Sequence, residues 1–498
     1  MKYLKIKNIS KIPLLLVKFL VNDDQYKLYL IVAVLIGIFI RFYGLDIQSL
    51  WLDEIYSTVA SSSSSISKMF INWILTDVHP PLYQLFIYYW IKIFGNSEIA
   101  VRLPSAIAGT LSIFLMYFLS KRVFNKYIAT SATILISFSY TAIWYSQEAR
   151  SYGFLLLFST VLTLLWLDIL KEIAELKANK LIIYTFVSII TAYLHYFGAV
   201  LVFFQIIYLL FITLFWFKKE AIKILISGFI IICVFLAWFS IHFVFIYCTI
   251  GGNFWIKKPD IGFLIQLINS LTPFDIKLLL IPFFINIKTF WLKLNLLEKI
   301  KFLKPNSLFS ALIYLTIFPV ISLFILSQHT PILTIRNLII LLPSFYLFIA
   351  VFISLNPFFN RVKGNIFVFI FALAGLITFL PYHYSPCKSD WRGTSKYITE
   401  NINNNSIIFV DNIWSTNPVL HEFYLNKFNK NNKKLIIEDF LHLKKDFSKQ
   451  KYSKIFIFSV HNKLSKDKRQ KLFEEKQYKC AKKHFYQVSC FEECSFIK

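Results

Sequence analysis

Charge is scarce in this chain. Only 16% of its 498 residues are Asp, Glu, Lys or Arg, against 57% hydrophobic, and mean hydropathy is +0.60. A soluble domain carries about a quarter charged residues, so a wholly soluble protein is excluded. No Gly-x-Gly-x-x-Gly or P-loop run is present to cradle a nucleotide. An Asp-x-Asp pair of the kind that presents a metal-bound nucleotide sugar is also missing. The six cysteines include no C-x-x-C pair, which argues against a zinc site. No internal repeat is visible, which weakens a transporter built from inverted repeats. No small-residue cleavage site follows the first long apolar run, so that run is expected to be retained as a span.

What is present is a series of apolar runs. Eleven of them approach the roughly 20 residues that a hydrocarbon core requires: 28–43, 102–119, 128–144, 152–170, 181–194, 198–217, 222–245, 278–292, 308–326, 337–355 and 366–380. The run near 278 is the weakest, because Pro282 and Lys288 interrupt it. A shorter run, 12–21, reads as interfacial. The segment Leu82–Phe94 is apolar, but its 13 residues cover only about 20 Å as a helix, less than the ~30 Å core.

If Leu82–Phe94 lies along the interface, the positive charges sort cleanly. Loops 121–127, 171–180, 218–223, 293–304 and 361–363 then hold 15 Lys and Arg on one side, against seven on the other. The positive-inside rule puts the richer side in the cytoplasm. The N-terminus is therefore expected inside and the C-terminal tail outside, in a multi-pass plasma-membrane protein. Net charge is +26, and anionic lipid headgroups are a better partner for it than nucleic acid.

The tail differs in character. Short β-rich runs, 406–410, 434–437 and 454–459, alternate with helix-compatible stretches such as 391–401, the pattern of a small α/β domain. The expected organisation is a basic cytoplasmic segment 1–27, an all-α membrane domain 28–381 with an outer loop 44–101, and a soluble extracytoplasmic α/β domain 382–498. Cys387, Cys480, Cys490 and Cys494 fall in the tail and either pair in an oxidising compartment or stay as thiols.

The polar clusters that carry chemistry all land on one membrane face in this topology. The first is Trp51-Leu52-Asp53-Glu54, two adjacent carboxylates just past a span, where an aspartate can remove a hydroxyl proton as a general base. The others are Asp77-Val78-His79-Pro80-Pro81-Leu82-Tyr83, Arg102-Leu103-Pro104-Ser105, Ser146-Gln147-Glu148-Ala149-Arg150-Ser151-Tyr152, His195-Tyr196-Phe197-Gly198 and Arg336-Asn337. Any one of the arginines is explained equally well by snorkelling; their concentration on one face is not.

These motifs, over roughly residues 28–245, resemble the bacterial branch of glycosyltransferase family 39. That group is related to protein O-mannosyltransferases and the aminoarabinose transferase of lipid A, within the GT-C superfamily. The resemblance implies a polytopic enzyme that inverts the anomeric centre of a polyprenyl-phosphate sugar, with a glycan, lipid or protein hydroxyl as acceptor. It implies Asp53 as catalytic carboxylate and Glu54 as a holder of the acceptor or the loop. Arg102, Arg150 and Arg336 become candidates to hold the carrier phosphate, where fixed guanidinium groups stabilise developing charge. His79, Glu148 and Tyr152 join the substrate site, and His195 and Tyr196 either complete a sugar pocket or pack. No metal is expected to be obligatory, with a divalent ion as an option. The rival readings are a transporter or flippase of lipid-linked glycans, and a sensor whose spans only anchor its tail.

Overall fold

The computed structural model describes residues 24–250, 256–271, 307–355, 359, 361–410, 419–429, 433, 435–439, 452–459, 478–482 and 490–496. The chain packs into two units. One comprises Met1–Tyr43, Ser67–Phe86 and Arg102–Leu380; the other comprises Gly44–Ile66, Ile87–Val101 and Pro381–Lys498.

The first unit is helical. Ten of the eleven apolar runs form helices: Tyr26–Phe42, Glu98–Val123, Lys126–Phe138 with Tyr140–Ser146, Tyr152–Lys171, Ala178–Leu194, Tyr196–Trp216, Lys218–Ile250, Leu308–Ser327, Arg336–Leu355 and Arg361–Tyr384. The run 278–292, the loop 293–304 and the interfacial run 12–21 lie outside the described residues. Among the described residues, seven helices are long and apolar enough to cross a membrane, or eight if the bent pair is one span. Many hydroxyls in these helices turn inward on their own backbone. Thr160 Oγ1 donates to Leu156 O, Ser188 Oγ to Tyr184 O and Thr213 Oγ1 to Leu209 O, at 2.7–2.8 Å. Hydrocarbon offers no water to satisfy them otherwise. Leu35, Phe39, Phe186, Phe215 and Phe229 stay exposed, an apolar surface suited to lipid.

One span departs from the sequence reading. The run 128–144 is not straight: it breaks at Ser139, and the two pieces bend by 56°. Ser139 caps the second piece by accepting from Ala142 N–H at 3.1 Å, and Tyr346 OH donates to Ser139 Oγ at 2.6 Å. The carbonyls near the break are taken up by a buried arginine. Arg41 Nη2 donates to Ile136 O at 2.9 Å and Nη1 to Ser137 O at 3.1 Å. The sequence around Arg41 reads as an ordinary span end; only packing shows that it stitches two helices. Gly109 opposite admits no Cβ, which would stand 2.7 Å from Ser146 Cβ.

In the second unit a five-stranded mixed sheet has the order β2-β1-β3-β5-β4, with β1 Ser406–Val410, β2 Ile437–Asp439, β3 Lys454–Ser459, β4 Tyr478–Lys482 and β5 Cys490–Phe496. β1 runs parallel to β2 and β3; β5 runs antiparallel to β3 and β4. All five residues of β1 are buried, which is why that strand reads as a continuous apolar run rather than an alternating one. Trp391 and His421, from the helices Trp391–Asn401 and Val419–Phe428, close on Phe458 at ring separations of 5.1 and 4.9 Å. The register places Cys480 opposite Cys494, and the two form a disulfide. Two of the four tail cysteines are thus paired.

Candidate active site

In the second unit the chain leaves Gly44 in a left-handed turn (φ +73°) and reaches Trp51 in extended backbone. The helix Leu52–Ser61 then starts, with Asp53 and Glu54 in its first turn, where the positive end of the helix dipole favours acidic residues. Glu54 is fully buried and Asp53 half-buried. The Glu54 carboxylate reaches back to accept from Trp51 N–H at 3.3 Å, the reciprocal half of a capping box. Thr58 Oγ1 and Ser57 Oγ donate to the Glu54 and Asp53 carbonyls at 2.7 and 3.1 Å.

The first unit gathers the other candidates. Asp77 Oδ1 accepts from Val78 N–H at 2.7 Å and lies 2.9 Å from His79 Nδ1. Arg150 Nη2 stands 3.2 and 3.4 Å from the two ring nitrogens of His79. Burial pulls the Asp77 pKa upward, but the field and hydrogen bond of His79, with the charge of Arg150, outweigh it and hold the carboxyl below its ordinary value. The His195 ring meets His79 edge-on at 4.9 Å and Tyr152 at 5.7 Å. Arg336 completes the group, its guanidinium carbon 5.9 Å from the Tyr152 ring centroid. The short helix Arg336–Leu341 packs against Tyr152–Lys171 and Tyr196–Trp216, which is what brings Arg336 there.

His195 has a defined chemical state. It caps the helix Tyr196–Trp216 by accepting from Phe197 N–H through Nδ1 at 3.1 Å. Burial first, then the nearness of His79, Arg150 and Arg336, push its pKa well below the usual histidine value. The ring is thus neutral, with its proton on Nε2, because Nδ1 is the acceptor. That buried Nε2 has no hydrogen-bond partner among the described residues. The turn is tight: a Cβ on Gly198 would stand 2.1 Å from Thr191 O, so Gly is required where the chain reverses.

Arg102 and Arg150 are 2% and 6% exposed, which does not fit a snorkelling head group. One helical turn after Arg102, Ser105 Oγ donates to Arg150 O at 3.2 Å. Gly153 lets the helices meet there, since its Cβ would stand 2.9 Å from Ser105 O. Glu148 is buried and accepts from Trp144 Nε1 at 2.8 Å. Tyr196, adjacent to His195 in sequence, faces two other side chains: its hydroxyl hydrogen-bonds His242 Nδ1 and accepts from Trp238 Nε1 at 3.0 Å. The structure thus brings His79, Arg150, Tyr152, His195 and Arg336 together, and Tyr196 with His242 stands beside them, within reach of the charge of Asp77. Asp77, part of the quoted motif, and His242, on a span far along the chain, were not expected as site residues. For Asp77 the signal was available in its spacing of two from His79. Among the described residues, no group of three or more His, Cys, Asp and Glu is placed to hold a metal ion.

Residues 78–238 match the family model described as dolichyl-phosphate-mannose-protein mannosyltransferase. No curated protein sequence matches the chain. Among solved structures, the fold is similar to that of ArnT from Cupriavidus metallidurans in the apo state, with a TM-score of 0.60 and 10% identity over 94% of this chain and 97% of that one. The same protein bound to undecaprenyl phosphate gives 0.59 and 10% over 94% and 98%. The apo oligosaccharyltransferase of Archaeoglobus fulgidus gives 0.52 and 12% over 83% and 64%. The chain thus has an ArnT-like fold.

Proposed function

We propose that this GT-C-fold membrane protein transfers a sugar, with inversion, from a polyprenyl-phosphate donor to an acceptor hydroxyl on the extracytoplasmic face. The observation that carries the reading is the cluster in the helical unit. The guanidinium groups of Arg150 and Arg336 gather with His79, Asp77 and a buried imidazole N–H of His195 that has no partner among the described residues. Fixed guanidinium groups and a buried imidazole N–H suit an anion, and the leaving group of this reaction is a phosphate. The family match over 78–238, which includes His79, Arg150, Tyr152 and His195 but neither Asp77 nor Arg336, supports the same reading. The ArnT structure similar in fold was solved with undecaprenyl phosphate, which supports a polyprenyl carrier here.

In this reaction Asp53 removes the acceptor hydroxyl proton as the oxygen attacks the anomeric carbon. The bond from that carbon to the phosphate oxygen breaks on the opposite face, and the electron pair leaves with the carrier phosphate. Arg150, Arg336 and the His195 N–H stabilise that phosphate, with Arg102 as a further candidate. Tyr152 supports Arg336 from beneath, and His79 holds Arg150. We assign no step to Glu148 or Tyr196. Fixed guanidinium groups can neutralise a single leaving phosphate, so the reaction needs no obligatory metal, and transfer should persist in chelator. The Cys480–Cys494 disulfide supports an oxidising, extracytoplasmic location for the tail.

The bent span at Ser139 is the one feature that favours a flippase, since broken helices mark transport paths. Its carbonyls are, however, engaged by Arg41. The test is incubation of purified protein with radiolabelled polyprenyl-phosphate sugars and membrane-extracted acceptors. Label in an acceptor supports transfer. Transbilayer movement of the intact donor without any transfer overturns it in favour of the flippase.

A further inference from the structure

Glu54 presents an electrostatic problem that the reaction alone does not explain. Its carboxylate is fully buried, and a buried charge is costly without a partner of opposite sign. That partner comes from far along the chain. Lys388 Nζ lies 3.3 Å from Glu54 Oε2, and the lysine side chain is itself only 10% exposed. A lysine is seldom this well buried unless paired.

The segment that carries Lys388 is spliced to the loop before Asp53. Gln48 uses both ends of its amide: Oε1 accepts from Cys387 N–H at 3.1 Å and Lys388 N–H at 2.9 Å, and Nε2 donates to His383 O at 3.0 Å. Arg392 continues the splice by donating to Asp46 O and Ile47 O, both at 2.9 Å. Tyr424 OH accepts from Leu50 N–H at 2.9 Å and donates to Glu98 Oε1 at 3.0 Å. Residues 46–54 are thus gripped at several points by the chain after the last span, and Lys388 is the grip nearest the carboxylates.

We propose that Lys388 is a positioning residue: by pairing with Glu54 it fixes the first turn of the helix Leu52–Ser61 and so sets the orientation of Asp53. The inference rests on Asp53 being the catalytic carboxylate. It also gives the tail a function within the reaction, as the part of the chain that holds the catalytic loop in register. Glu54 acts through its neighbour rather than on the substrate.

The test compares Lys388→Met, Lys388→Arg, Glu54→Gln, the double variant Lys388→Met with Glu54→Gln, and Asp53→Asn, all in the full-length protein. A misplaced catalytic group costs about a hundredfold. Lys388→Met is expected to lower kcat by about that factor while leaving the donor KM near its normal value, and Lys388→Arg to recover most of the loss. The double variant should be no worse than the poorer single one, because both lose the same pair. That comparison also covers the case in which Lys388→Met is unstable, since the double variant buries no unpaired charge. A wild-type kcat in Lys388→Met, or losses that multiply in the double variant, overturns the inference. If Asp53→Asn is inactive in that case, the proposed function stands. A fully active Asp53→Asn overturns both.

Discussion

The two polar regions of this protein surround their charged groups with different neighbours. In the helical unit, Arg150 and Arg336 lie among rings, His79, Tyr152 and His195, with Asp77 beside His79. In the second unit the buried carboxylates are each met by cations of the tail: Glu54 by Lys388, and Glu98 by Lys427 at 3.2 Å and Arg392 at 3.5 Å. One region sets its cations among imidazole and phenol rings, and the other sets carboxylates against lysine and arginine. A buried N–H with no partner among the described residues suits binding of an anion, whereas an ion pair suits holding a backbone in place. The same residue types therefore read as ligand-binding in one region and as structural in the other, and neighbours decide which.

The largest test of this contrast is Asp53, the half-buried carboxylate beside the buried, paired Glu54. Asp53→Asn keeps the shape and removes the base, so turnover should fall about 10²–10⁴-fold, with donor binding preserved in a filter or quenching assay. Near-normal turnover would mean that the second unit contributes only architecture. An intermediate effect is expected from Arg336→Lys. A phosphate clamp loses a charge-assisted, bidentate contact that lysine cannot reproduce, worth roughly 1.5–3 kcal/mol, so transfer at limiting donor should drop about ten- to a hundredfold. Wild-type transfer would return Arg336 to a cation resting on the Tyr152 ring, and would leave Arg150 and Arg102 to hold the phosphate.

The smallest effect concerns His195 and stability rather than rate. Its folded pKa is depressed, so the fold keeps it neutral while the unfolded chain takes a proton as pH falls through about 6.5. The contribution is whole above that pH and is lost on acidification, by up to about 1.4 kcal/mol per pH unit. Thermal melts in detergent between pH 7 and pH 5 should show this slope, and His195→Gln should flatten it. An unchanged slope would mean that His195 is protonated in the fold, and the cluster would then carry still more positive charge.

How much of this was readable beforehand depends on the distance over which each feature is encoded. The helix Trp391–Asn401 and the strands Ser406–Val410 and Lys454–Ser459 have the limits read from the sequence, because capping and apolar runs are local signals. Asp390 caps that helix by accepting from Gly393 N–H at 2.8 Å, three residues on. The motifs around His79, Arg102, Arg150 and His195 stand out for the same reason: each is a turn beside a span. The break at Ser139 was hidden in a uniformly apolar run, since its supports, Arg41 and Tyr346, come from other helices. Lys388 looked like one more basic residue of a basic tail, and His242 like an isolated polar residue in a long apolar helix.

By itself the sequence determined that the chain is built on apolar helices with an α/β tail, because hydrocarbon and a strand core both demand uninterrupted apolar surface. It also determined which turns carry ionisable groups. Tertiary structure alone decided which of those groups are paired. A side chain's charge partner is set by what packs within about 4 Å of it, and here Glu54 meets Lys388 334 positions away.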